Sequence, residues 1–276
     1  MKIEEYAPQE PLTEQGAGYK AVTLYLSSRV SAGEEFAYGD DPCQRLIVHP
    51  AAKPNGTVLA FTFGGGWTNG YKEMMGYMAP AFTARGVTFA SIGYRLAPMH
   101  PWPACFEDCA AAMSWLVKTV ADKGGDPKRI FLGGRSAGGH LSSLLAVRRD
   151  WQARHGVPTD VIRGCIPVSG VYLFGEGAGF ANRPRFLGPV EQKNEIAASP
   201  LRNIQSTPPP FFMARGEKDF PHLIRQADDM MAALKQAGAL VELEVLPDCD
   251  HLGTGVPTGD PNSPWMAKAH AFMAAH

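Results

Sequence analysis

Apolar, β-branched runs recur along the chain at Gln44–His49, Thr57–Phe63, Val87–Tyr94, Arg129–Gly133, Gly164–Ser169, Phe211–Arg215 and Leu240–Leu246. Several lack the in–out alternation of a half-exposed strand, as expected of strands covered on both faces. Between them the pattern changes to helical spacing. Phe106–Ala121 carries Ala110, Met113, Leu116, Val117 and Val120; Ser136–Arg149 carries Leu141, Leu144, Leu145 and Ala146. His222–Gln236 carries Leu223, Ala227, Met230, Met231 and Leu234, with Gly238 as a stop. Such alternation predicts an α/β fold, a mostly parallel central sheet with helices on both faces. No repeat, low-complexity tract or linker divides residues 1–276, so a single domain is expected. One stretch breaks the rhythm: Phe174–Pro200, rich in Gly and Pro, reads as a short cap.

Composition narrows the partners. Hydrophobic residues make up 45% and charged residues 19% of the 276, which is ordinary for a chain with a large core. A formal net charge of −1 without a long basic run argues against nucleic acid. The five cysteines, Cys43, Cys105, Cys109, Cys165 and Cys249, show no pairing rhythm and read as free thiols in a reducing compartment. The N-terminus has acidic residues where a signal peptide is basic and then apolar, and no run approaches a membrane span; the cytoplasm is the expected location.

Candidate chemistry centres on Gly134-Arg135-Ser136-Ala137-Gly138, a G-x-S-x-G sequence set between an apolar strand and an amphipathic helix. Glycines flanking the serine remove collisions at a sharp turn, and the helix N-terminus favours developing negative charge. A phosphate loop is excluded, because His140 and Leu141 stand where Lys and Ser/Thr are required. Strand Thr57–Phe63 runs into Gly64-Gly65-Gly66-Trp67, whose amides at Gly65 and Gly66, with that of Ala137, suit an oxyanion hole. A dinucleotide loop fits poorly, since the spacing Gly64, Gly66, Gly70 is not G-x-G-x-x-G.

Among the histidines, His251 follows the strand Leu240–Leu246, at the sheet edge where catalytic groups gather, and is the candidate base. Asp219, past the end of strand Phe211–Arg215, is the candidate orienting acid, with Glu217, Asp248 and Asp250 as rivals. Trp67, Phe180, Phe186, Phe220 and Trp265 are candidates to line a substrate pocket, although core packing suits each of them too. No metal-ligand spacing is present.

With these residues in place the chain resembles the α/β-hydrolase fold esterases, in the hormone-sensitive-lipase-like and kynurenine-formamidase-like (feruloyl-esterase-like) branches. The resemblance rests on Tyr38–Arg45, on Tyr94-Arg-Leu-Ala-Pro98 followed by Pro101–Ala104 and Asp108, and on Gly134–His140 and Gly216–Asp219. It implies a triad of Ser136, Asp219 and His251, an oxyanion hole from the Gly64–Gly66 loop and Ala137, and no cofactor. The first branch usually carries a sizeable N-terminal cap, for which this chain has little room. The family's oxyanion motif normally begins with His, whereas Phe63 precedes Gly64 here.

The expected activity is hydrolysis of a small or aromatic carboxylic ester through an acyl-enzyme. The alternatives are an arylformamidase or amidase using the same triad, and a non-catalytic ligand-binding member of the fold. The expected partner is a small-molecule ester or amide, with a homodimer left open.

Overall fold

The computed structural model describes residues 2–175, 178 and 183–276. Among these, eight strands build one sheet in the order β1-β2-β4-β3-β5-β6-β7-β8. They are β1 (Glu34–Ala37), β2 (Arg45–His49), β3 (Gly56–Thr62), β4 (Thr88–Ile92), β5 (Gly125–Arg135), β6 (Ile162–Val168), β7 (Phe211–Lys218) and β8 (Val241–Asp250). β1–β2 and β2–β4 pair antiparallel, and every pairing from β4 through β3 to β8 is parallel. All seven apolar runs read from the sequence coincide with strands, most within one or two residues at either end. The central ones are buried almost throughout, β4 completely, because helices cover them.

The three expected helices form at Ala104–Thr119, Ala137–Val147 and Pro221–Gln236. Every residue of Ala137–Val147 is buried, so this helix lies inside the protein rather than on it. The family-like segments before it are joined by one carboxylate. Asp108, 1% exposed, receives a fork from Arg95 (Nε 2.9 Å, Nη2 2.7 Å) and a bond from Gln44 Nε2 at 2.7 Å. Such a charge-assisted fork compensates the cost of burying the carboxylate.

The N-terminus differs from expectation. Glu14–Ser28 is a helix, capped by the Thr13 hydroxyl, which accepts from Gly16 N at 3.2 Å. The strap before it is tied down as well: Gln9 exchanges two hydrogen bonds with the backbone of Gly70, at 2.9 and 3.0 Å. Tyr6 donates to Glu73 at 2.9 Å, beside buried Lys72, which pairs with Glu73 at 2.6 Å and Glu35 at 3.1 Å. Within Phe174–Pro200 the described residues include short helices at Arg183–Phe186 and Asn194–Ala198. All five cysteines are free, with Cys105, Cys109 and Cys165 buried. No helix among the described residues is long and apolar enough to cross a membrane.

Candidate active site

Strand register brings the candidate residues together. Thr62 of β3 pairs with Gly134 of β5, so the Gly64–Gly66 loop and Ser136 leave the sheet side by side. Lys218 of β7 pairs with Asp250 of β8, so Asp219 and His251 are the next residues out. All four lie past the carboxyl ends of parallel strands, and the glycine loop and Ser136 flank the place where the chain order reverses between β3 and β5, the usual site location in such sheets.

Ser136 sits at φ +54°, ψ −117°, a conformation that a non-glycine residue adopts only under constraint. The constraint is the packing of the turn. Ser136 N donates to Val168 O at 2.9 Å, and the Thr62 hydroxyl donates to Gly138 O at 2.8 Å. A Cβ at Gly138 would stand 2.1 Å from Thr62 O, and one at Gly134 would stand 2.3 Å from the Gly138 carbonyl. Only glycine lets the strand and helix close on each other here.

The side chains then form a chain of hydrogen bonds. His251 Nε2 lies 2.9 Å from Ser136 Oγ, and His251 Nδ1 lies 2.8 Å from Asp219 Oδ1. Phe220 N–H donates to the same Asp219 oxygen at 2.8 Å. Burial pushes the Asp219 carboxyl up, but the hydrogen bond and charge of His251 outweigh it and leave the group below its ordinary value. Burial pulls His251 below the ordinary 6.5; its bond to Asp219 opposes this, and the nearby Arg135 charge adds to it. The ring is therefore neutral near pH 7. The rival acids have other tasks: Glu217 accepts from Asp248 N at 2.9 Å, Asp248 pairs with Lys218 at 2.7 Å, and Asp250 accepts from Gly253 N at 2.7 Å.

Beside Ser136, a Cβ at Gly64 would meet the Arg135 carbonyl at 2.7 Å, so the glycine loop packs directly against the elbow. Ala137 is the first residue of its helix, and its N–H has no partner within that helix. Phe63 stacks on Tyr94 (centroids 4.2 Å apart, planes at 7°), and the Tyr94 hydroxyl donates to Phe63 O at 2.9 Å. An aromatic stack therefore holds the residue that leads into the glycine loop.

A cleft of about 600 Å³ opens over Ser136. Trp67 and Phe220 line it, as expected. Phe186 does not; it is buried beneath Trp67, stacked at 4.3 Å, because the larger indole lies between it and the cleft. Trp265 packs in the core against Phe82 and Phe212, and Phe180 lies outside the described residues. Trp67 is steadied from below, where its Nε1–H donates to His140 Nδ1 at 3.0 Å. The sequence reading missed Tyr19 and Lys20 of the N-terminal helix, Arg135, and His222, all of which line the cleft. Arg135 carried a signal, as the variable residue of G-x-S-x-G. It donates to Thr254 Oγ1 at 3.2 Å and to the His251 carbonyl, and its guanidinium lies 4.3 Å from the Tyr19 ring centroid. It fastens the histidine loop from behind.

A family model described as the alpha/beta hydrolase fold matches residues 59–185, the stretch that holds the glycine loop and the elbow. The chain has the α/β-hydrolase fold. The chain is 32% identical over 217 residues to esterase LipC of Mycobacterium tuberculosis, covering 72% of its own length and 54% of that protein's. Esterase LipQ of the same organism is 33% identical over 211 residues, 70% of this chain and 49% of that one. The chain thus spans about half the length of the curated relatives it matches. Among solved structures, esterase Est2 of Thermogutta terrifontis superposes with a TM-score of 0.74 at 23% identity, covering 88% of this chain and 94% of that one. An esterase of Pyrobaculum calidifontis gives 0.74 at 19%, covering 94% and 90%.

Proposed function

We infer that the protein is a serine carboxylesterase acting on small or aromatic esters through an acyl-enzyme. The observation that carries this reading is the unbroken Ser136–His251–Asp219 hydrogen-bond chain, at 2.9 and 2.8 Å, opening onto the cleft. The esterase names of the relatives support it.

In the proposed cycle Ser136 Oγ attacks the ester carbonyl carbon while His251 Nε2 takes its proton. Asp219 holds Nδ1–H and stabilises the imidazolium. The carbonyl oxygen, now negative, rests against amides of Gly65, Gly66 and Ala137. His251 then hands its proton to the departing alcohol. Water, deprotonated by the same ring, attacks the acyl-serine and releases the acid and the free hydroxyl.

A fluorophosphonate probe tests the assignment directly, because it phosphonylates only an activated serine. Labelling at Ser136, lost in Ser136→Ala together with a fall of roughly 10⁴-fold or more in 4-nitrophenyl acetate turnover, is the expected outcome. Ser136→Ala with near-normal turnover overturns the triad, and an inert wild-type serine favours a ligand-binding role. An N-formyl arylamine run beside the ester separates esterase from formamidase.

A further inference from the structure

The cleft over Ser136 is lined by Lys20, Arg135 and Arg185, and no Asp or Glu is among its described lining residues. Arg185 is about half exposed and already neutralised by Glu10 at 2.6 Å. Lys20 and Arg135 are different. No described carboxylate lies within ion-pair distance of either. Among the described residues, Lys20 Nζ meets the Tyr71 hydroxyl at 3.2 Å and lies 4.6 Å from that ring's centroid. Arg135 is 3% exposed, and among the described residues it meets neutral groups alone: a hydroxyl, a carbonyl and the Tyr19 ring.

Burying a cation without a counter-charge is costly, and proteins ordinarily avoid it. This chain avoids it elsewhere, since Lys72, 1% exposed, is paired with both Glu35 and Glu73. At the mouth of the site the compensation is missing, on buried Arg135 and on half-buried Lys20, which reach the cleft from separate parts of the chain. We propose that the substrate supplies it: the ester cleaved at Ser136 carries a second group, a carboxylate, that settles beside Lys20 and Arg135. This deepens the esterase reading and rests on it. The second carboxylate takes no part in bond exchange; it orients the ester and leaves unchanged on the released acid or alcohol.

The test compares specificity constants for ester pairs that differ in one charge. 4-Nitrophenyl hemiadipate against 4-nitrophenyl hexanoate puts the anion on the acyl side, and 4-acetoxybenzoate against 4-acetoxybenzamide puts it on the alcohol side. The expected result is a preference of about tenfold or more for the charged member of at least one pair, shrinking as KCl is raised. That ratio should fall toward one in Lys20→Met or Arg135→Gln, whatever happens to the absolute rates. If neither charged ester is favoured, or the ratio is the same in both variants as in the parent, the proposal is overturned. Turnover of the neutral esters would then keep the esterase reading standing; its absence would remove that reading instead.

Discussion

His140 is buried completely, yet both ring nitrogens are engaged: Trp67 Nε1 lies 3.0 Å from Nδ1, and Nε2 lies 2.7 Å from Ala198 O. An indole N–H can only donate, so Nδ1 must accept and Nε2 must carry the hydrogen. A second proton has nowhere to go but Nδ1, where it would break the Trp67 bond. Burial accordingly pulls the group down to about 4, the Ala198 carbonyl pulling slightly the other way. In the unfolded chain the same ring titrates at about 6.5. As pH falls, therefore, the unfolded state takes up the proton first. The contribution is intact above about pH 6.5 and is lost progressively down to about pH 4, with a ceiling of ~3 kcal/mol. From pH 7.5 to pH 5 the expected loss is ~2 kcal/mol. Urea unfolding of the parent and of His140→Gln at both pH values isolates it, because titration of the other groups cancels in the difference. The stability gap between the two proteins should narrow by that amount at pH 5. A gap independent of pH would refute the assigned tautomer and the reasoning built on it.

Further outcomes follow from the same geometry. Ester turnover should rise with pH along a limb set by His251, centred below the ordinary histidine value of 6.5, because burial and then Arg135 favour the neutral ring; a pH–kcat/KM profile centred above it would contradict this. Arg135→Gln removes one positive neighbour, so the same limb should move toward higher pH. Asp219→Asn leaves the ring without a carboxylate on Nδ1 and should cut kcat by roughly 10⁴-fold with little change in the unfolding midpoint; a loss under tenfold would show that another group orients the ring.

The strands and the hydrogen-bonded triad were readable because their signals are local. Apolar runs of strand length announce β2 to β8, and a serine between glycines at a strand end announces the elbow. Asp219 and His251 followed from one further rule, that functional groups leave the carboxyl ends of strands. The N-terminal helix escaped for physical reasons. It contains Gly16 and Gly18, and of its side chains only Thr23 is fully buried, so it lacks the apolar stripe that marks a core helix. β1 escaped because it has four residues, starts Glu34-Glu35 and forms the sheet's edge. Phe186 shows the opposite failure. An aromatic residue in a Gly- and Pro-rich segment looks the same in sequence whether it faces a ligand or backs a tryptophan.

The clamp between Gln9 and Gly70, with the helix that follows it, divides labour along the chain. The nucleophile, base and acid hang from the ends of strands β5, β8 and β7 of the central sheet, whereas one wall of the reaction chamber, from Leu12 to Lys20, is hung on an outlying piece of polypeptide. On the esterase reading, selectivity can therefore drift independently of catalytic power. Libraries randomised at those few wall positions should yield altered substrate choice at nearly undiminished chemistry, a freedom that elbow or histidine-loop positions do not offer.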